Sequence, residues 1–124
     1  IRVLLVEDDE DARDLMTTVL AGAGAEVRAE TTSDAAIASV AILRPHVLLC
    51  DIALSGETGY DVIRRVRALR PEDGGKVPAA AVTAYASAED RRRATSAGFT
   101  HHLPKPIDPD GLVALVARLG GRLS

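Results

Sequence analysis

Five polar side chains stand where apolar runs end: Glu7 and Asp8 after "RVLLV", Asp51 after "HVLLC", Thr83 after "VPAAAV", and Lys105 between Pro104 and Pro106 in "HHLPKPID". Gathered in one place, three carboxylates would repel one another by about 4 kcal/mol per pair at 4 Å in an effective dielectric near 20, so they require a counter-charge. An all-oxygen ligand set without His or Cys favours Mg2+, with Mn2+ able to substitute. A metal beside Asp51, a hydroxyl from Thr83 and an ammonium from Lys105 form a pocket matched to a phosphoryl group. The cations and donors would neutralise its oxygens while the Asp51 carboxylate attacks phosphorus. The flanking prolines restrain Lys105 and lower the entropy cost of meeting an arriving anion.

These residues meet only if the fold brings them together. "RVLLV" reads as a buried strand over 2–6, and Ala12, Leu15, Met16, Val19 and Leu20 give an inward face to a helix from Asp11 to about Ala23. "EVRAE" at 26–30 alternates as an edge strand does, and Thr32 or Ser33 caps a second helix that Pro45 ends. "HVLLCDI" at 46–52 is the most apolar run and belongs at the sheet centre. A third helix spans about 60–69, with Arg64, Arg65, Arg67 and Arg70 on a solvated face. "VPAAAV" at 77–82 is a fourth strand, Ser87 and Asp90 form a capping box for a fourth helix, and "THHL" is a short fifth strand. Asp108 and Pro109 open the last helix, which turns Leu112, Leu115, Val116 and Leu119 inward.

Strands alternating with helices predict an α/β domain: five parallel strands with helices on both faces, and a crevice at the carboxyl ends of the strands. All five polar residues fall at that end.

The bulk numbers bound the partners. The chain has 124 residues, enough for one core, and is read as a single domain over 1–124. Its net charge of −3 offers no general attraction to nucleic acid or an anionic membrane. Cys50 lies in an apolar run and reads as a buried small hydrophobe, not a disulfide partner. The lack of a signal-like start gives a cytoplasmic expectation, and the start at Ile1 that of a domain cut from something longer.

In order and spacing these segments resemble the response regulator receiver domain of two-component signalling. "LLVEDDE" resembles the family's acidic pair at Glu7 and Asp8, and "LLCDIALSGETGY" the segment with the phosphorylated aspartate at Asp51. "AVTAYA" resembles the segment with the switch hydroxyl at Thr83, and "LPKPID" the one with the lysine at Lys105 before a cis proline. The resemblance implies a flavodoxin-like fold, (βα)5, with strand order 2-1-3-4-5. It also implies Mg2+ held by Glu7, Asp8, Asp51 and the Ala53 main-chain carbonyl, and a phosphoacceptor rather than an enzyme. The phosphoryl donor would be a histidine kinase or a histidine phosphotransfer protein, and the modified domain would switch its α4–β5–α5 surface. The style of "GFTHHLPKPID" resembles receivers carried by hybrid histidine kinases. Ala53 and Tyr85 flank the site by the same resemblance.

Three departures stand out. Leu54-Ser55 replaces a common aliphatic-Pro pair and is expected to loosen the loop after Asp51. Pro104 replaces an aliphatic residue and is expected to end the fifth strand early. His102 occupies the switch position where relatives often carry Tyr or Phe.

Other readings compete. A haloacid dehalogenase-type phosphatase also combines a nucleophilic aspartate with Mg2+, Thr and Lys, but commonly needs an acid two residues on, where this chain has Ala53. A receiver-shaped module without phosphorylation would be expected to have lost an acid or the lysine. His101 and His102 point to opposite faces of a strand and cannot share one ion, giving one exposed and one partly buried ring. "RRR" at 91–93 spreads around its helix as solvated surface, and the last helix lacks the alternating charges of a salt-bridged dimer, so a monomer is expected.

Overall fold

The computed structural model describes residues 1–84 and 87–121. Its strands are β1 (Arg2–Val6), β2 (Glu26–Glu30), β3 (Val47–Asp51), β4 (Ala79–Thr83) and β5 (His101–Pro104). Its α-helices are α1 (Glu10–Gly22), α2 (Ser33–Leu43), α3 (Gly59–Arg67), α4 (Ala88–Ala97) and α5 (Pro109–Leu119), with a 3-10 turn at Pro71–Asp73. All neighbouring strands pair in parallel, in the order β2-β1-β3-β4-β5. No helix among the described residues is long and apolar enough to cross a membrane.

The two-residue period of each strand divides the core. Val3, Leu5, Val47 and Leu49 pack with Met16 and Leu20 of α1 and Leu112, Leu115 and Val116 of α5. Leu4, Val6, Leu48 and Cys50 face the other way, against Val40 of α2, Val62, Ile63 and Val66 of α3, and Ala94 of α4. A sheet covered on both faces explains why β3 and β4 are buried at every position. Side-chain caps fix where the helices begin: Asp9, Thr32, Thr58, Ser87 and Asp108 each accept a first-turn N–H.

Several local expectations are corrected. Leu15 is 48% exposed rather than inward, because Met16 and Leu20 already fill the α1 stripe. A full capping box forms at Thr58 and Asp61; at α4, Ser87 Oγ accepts from Asp90 N–H and its hydroxyl donates to the Asp90 carboxylate. The α3 arginines do more than meet solvent: Arg67 donates to the Gly98 and Gly75 carbonyls, and Arg65 to Ser33 Oγ and Asp34 Oδ1. Arg93 lies 4.4 Å from the centre of the Tyr60 ring, so the "RRR" run is not wholly solvated. Strand β5 does not stop before Pro104. Its missing N–H is tolerated on an edge strand, and the next N–H, of Lys105, donates to the Thr83 carbonyl at 2.9 Å.

Candidate functional site

Parallel strands of similar length end together, so the residues that follow them share one rim. Glu7 follows β1, Asp51 closes β3 and Thr83 closes β4, while Lys105 follows β5. The register places Asp51 beside Val82, one residue before Thr83, and Thr83 beside Pro104. Three elements thus deliver a carboxylate, a hydroxyl and an ammonium to adjoining positions.

The acidic groups converge. One carboxylate oxygen each from Glu7, Asp8 and Asp51 lies within 4.8 Å of the other two. Glu7 and Asp51 are only 1% and 4% exposed, whereas Asp8 is half-buried at the rim. The Lys105 ammonium stands 3.3 Å from Asp51 Oδ1 and 3.7 Å from Glu7 Oε1. Asp51 Oδ1 also accepts the Ala53 N–H at 3.1 Å. The Lys105–Pro106 peptide bond is cis.

Burial and charge set the electrostatics. Glu7 is pushed up to about 7, first by burial and then by the Asp51 carboxylate beside it, with Lys105 pulling the other way. Among the described residues, neither Glu7 carboxyl oxygen has a hydrogen-bond partner. Asp8 is held below the ordinary carboxylate range, chiefly by the Ser55 main-chain N–H that donates to its Oδ2. Orphaned buried oxygens, an all-oxygen donor set and clustered negative charge fit a hard divalent cation such as Mg2+.

The loop after Asp51 is set by close backbone approach. Gly59 N–H donates to the Ile52 carbonyl at 2.9 Å, and a Cβ at Gly59 would lie 2.5 Å from the Asp51 carbonyl oxygen. Only glycine lets α3 start so near the end of β3. Ala53 is exposed at the mouth of the site.

The sequence of the response regulator receiver domain family matches residues 3–117. The chain belongs to that family. It is 40% identical over 114 residues to an uncharacterised 14.6 kDa protein of Leptolyngbya boryana, covering 92% of this chain and 86% of that one. It is 36% identical over 119 residues to the DNA-binding response regulator MtrA of Mycobacterium tuberculosis, covering 95% of this chain and 50% of MtrA. The receiver domain therefore spans about half the length of that relative. Among solved structures, the receiver domain of sensor histidine kinase PA1611 from Pseudomonas aeruginosa is 31% identical, with a TM-score of 0.86 and 97% of each chain covered. That structure holds a magnesium ion coordinated in its active-site cleft. The present chain is a receiver domain of two-component signalling, with the flavodoxin-like sheet that the family resemblance implies.

The remaining site expectations divide. Both histidines of β5 are half-buried, so the partly buried ring is as expected and the exposed one is not, because helices flank each face of the edge strand. His102 pairs in register with Ala81, whose side chain belongs to the face of α2, α3 and α4, and His102 Nε2 is buried without a hydrogen-bond partner among the described residues. His101 pairs with Ala80 on the opposite face; burial and then Arg118 of α5 lower its pKa. Leu54-Ser55 does not leave the loop loose, since Ser55 supplies the bond to Asp8. Tyr85 lies outside the described residues. Sequence patterns missed Ser55 and Arg13, whose Nη1 donates to the Glu7 carbonyl. A main-chain contact leaves no signature in residue type.

Proposed function

We propose that this receiver domain accepts a phosphoryl group on Asp51 from the phosphohistidine of a histidine kinase or histidine phosphotransfer protein. The observation that carries the reading is the Lys105 ammonium at 3.3 Å from a buried aspartate that shares its rim with two more acids.

An Asp51 carboxylate oxygen forms the new bond to phosphorus while the phosphorus–nitrogen bond of the donor breaks and its electron pair stays on the imidazole nitrogen. Glu7, Asp8, Asp51 and the Ala53 main-chain carbonyl would hold Mg2+, which supplies neutralisation of the phosphoryl oxygens. Lys105 gives those oxygens a fixed positive charge, and the Thr83 hydroxyl a hydrogen bond. Because Lys105 N–H is bonded to the Thr83 carbonyl, a pull on either residue reaches the end of β5. The response is a shift of the α4–β5–α5 surface, with His102 as the ring that repacks on the α4 side. Moving the active population from 1% to 99% needs about 5.5 kcal/mol of differential interaction, within reach of a multiply charged group with several donors.

The domain acts as a phosphoacceptor, in the cytoplasm and as a monomer, and its likeness to the PA1611 receiver supports a place within a hybrid histidine kinase. The test is incubation with a small phosphodonor, with intact mass as the readout. The natural chain gains one phosphoryl group when Mg2+ is present and none when the metal is chelated. Persistent uptake by Asp51→Asn rejects the assignment.

A further inference from the structure

The three clustered carboxylates are not held equally. Glu7 is fixed by burial, and Asp51 by burial together with the Ala53 N–H and Lys105. Asp8 stands half-buried on the turn before α1, where an unfastened side chain would sample several rotamers. What fastens it comes from 47 residues away: the Ser55 main-chain N–H donates to Asp8 Oδ2 at 2.5 Å.

The loop that carries this donor is itself anchored. Two residues beyond Ser55, Glu57 Oε1 accepts the Ser33 N–H at 2.6 Å in the first turn of α2, where unpaired N–H groups favour a carboxylate. Thr58 caps α3, and Gly59 N–H closes back on the Ile52 carbonyl. Gly56 supplies the φ of +77° that turns the chain between Ser55 and Glu57. Anchored on this side, the Ser55 amide is a donor at a set position.

We propose that Ser55 is a positioning residue for the metal-binding acids: its main-chain N–H locks Asp8 in the orientation that keeps a ligand oxygen among those of Glu7 and Asp51, and so strengthens Mg2+ binding. This rests on the metal reading given under Proposed function. A carboxylate offers about four lone-pair sites, so one N–H bond leaves room for a metal. Hydrogen bonds to ligating carboxylates orient them, and loss of such partners typically weakens metal binding by 10- to 100-fold. The rotamer entropy that a loose Asp8 would lose on binding is already lost in the metal-free domain. The Ser55 side chain also hydrogen-bonds Asp8, but the main-chain N–H is the larger influence on that carboxylate. A residue with an N–H keeps the larger of the two contacts, and proline does not.

Calorimetric titration with MgCl2 of the natural chain, Ser55→Ala and Ser55→Pro tests this. Ser55→Ala, which keeps the N–H, binds Mg2+ within about twofold of the natural chain, and Ser55→Pro binds about tenfold more weakly. Equal or tighter binding by Ser55→Pro overturns the inference, as does a loss in Ser55→Ala as large as that in Ser55→Pro. Hydrogen exchange provides a test that does not need the proline variant to fold. The Ser55 amide exchanges slowly in the metal-free natural chain and at the rate of an open loop in Asp8→Ala, whereas fast exchange in the natural chain overturns the proposal. A natural chain that takes up no Mg2+ removes the metal reading and this inference with it; binding that is indifferent to Ser55→Pro removes only this inference.

Discussion

The Lys105 ammonium lies 3.3 Å from Asp51 Oδ1, and the same cation stands 3.7 Å from Glu7 Oε1. One lysine, 30% exposed through its side chain, faces two buried carboxylates. A divalent ion at the acids would share the task of neutralising them.

Lys105→Ala leaves Glu7 and Asp51 without this cation. Removing one partner of a fully buried pair costs about 3–5 kcal/mol; with Lys105 partly in solvent, the metal-free domain should lose roughly 1–3 kcal/mol at pH 8. Saturating Mg2+ should then raise the unfolding temperature of the variant more than that of the natural chain. Thermal unfolding with and without Mg2+ checks both, and an equal or smaller metal effect in the variant would count against shared neutralisation.

Glu7 gives the site a pH dependence of defined sign. Its folded value of about 7 lies above its ordinary 4.5, so folding favours the protonated form. The associated stability is present below pH 4.5 and is lost as pH rises through 7, by up to about 3 kcal/mol. Mg2+ affinity should run the other way, rising up to tenfold per pH unit towards 7 and then levelling. Denaturant unfolding across this range should show the decline in the natural chain and a flatter profile in Glu7→Gln; an unchanged profile would show that another group titrates.

His102 has a buried ring nitrogen without a hydrogen-bond partner among the described residues. Such a group costs about 1–3 kcal/mol, and an apolar ring of similar size avoids the cost. His102→Phe is expected to stabilise the domain by about 1 kcal/mol in denaturant unfolding, and a loss of stability would mean that the imidazole makes a contact of value.

The first, third and fourth strands were legible in the sequence because each is an apolar run halted by a polar residue, and in a parallel sheet those halts form one rim. That regularity singles out Glu7, Asp51 and Thr83 in the sequence, and the flanking prolines single out Lys105. Contacts made through the main chain were not legible. Residue type at 55 suggested a loosened loop, yet the serine N–H ties that loop to Asp8. Pro104 suggested an early strand end, yet pairing continues and Lys105 N–H bonds to Thr83. Arg93 over Tyr60 was hidden for another reason: helical spacing gives the direction of a side chain but not which ring a neighbouring helix will present.

The central claim is that the acid at 51 is the one that takes the phosphoryl group. Borohydride reduction of the phosphorylated domain, followed by peptide mapping, reads this directly, because reduction converts an aspartyl phosphate to homoserine. The peptide carrying "LLCDIALSGE" should contain homoserine at position 51 and nowhere else. Homoserine at position 8, or a stable phosphate on a hydroxyl or a histidine with position 51 unmodified, would contradict the account.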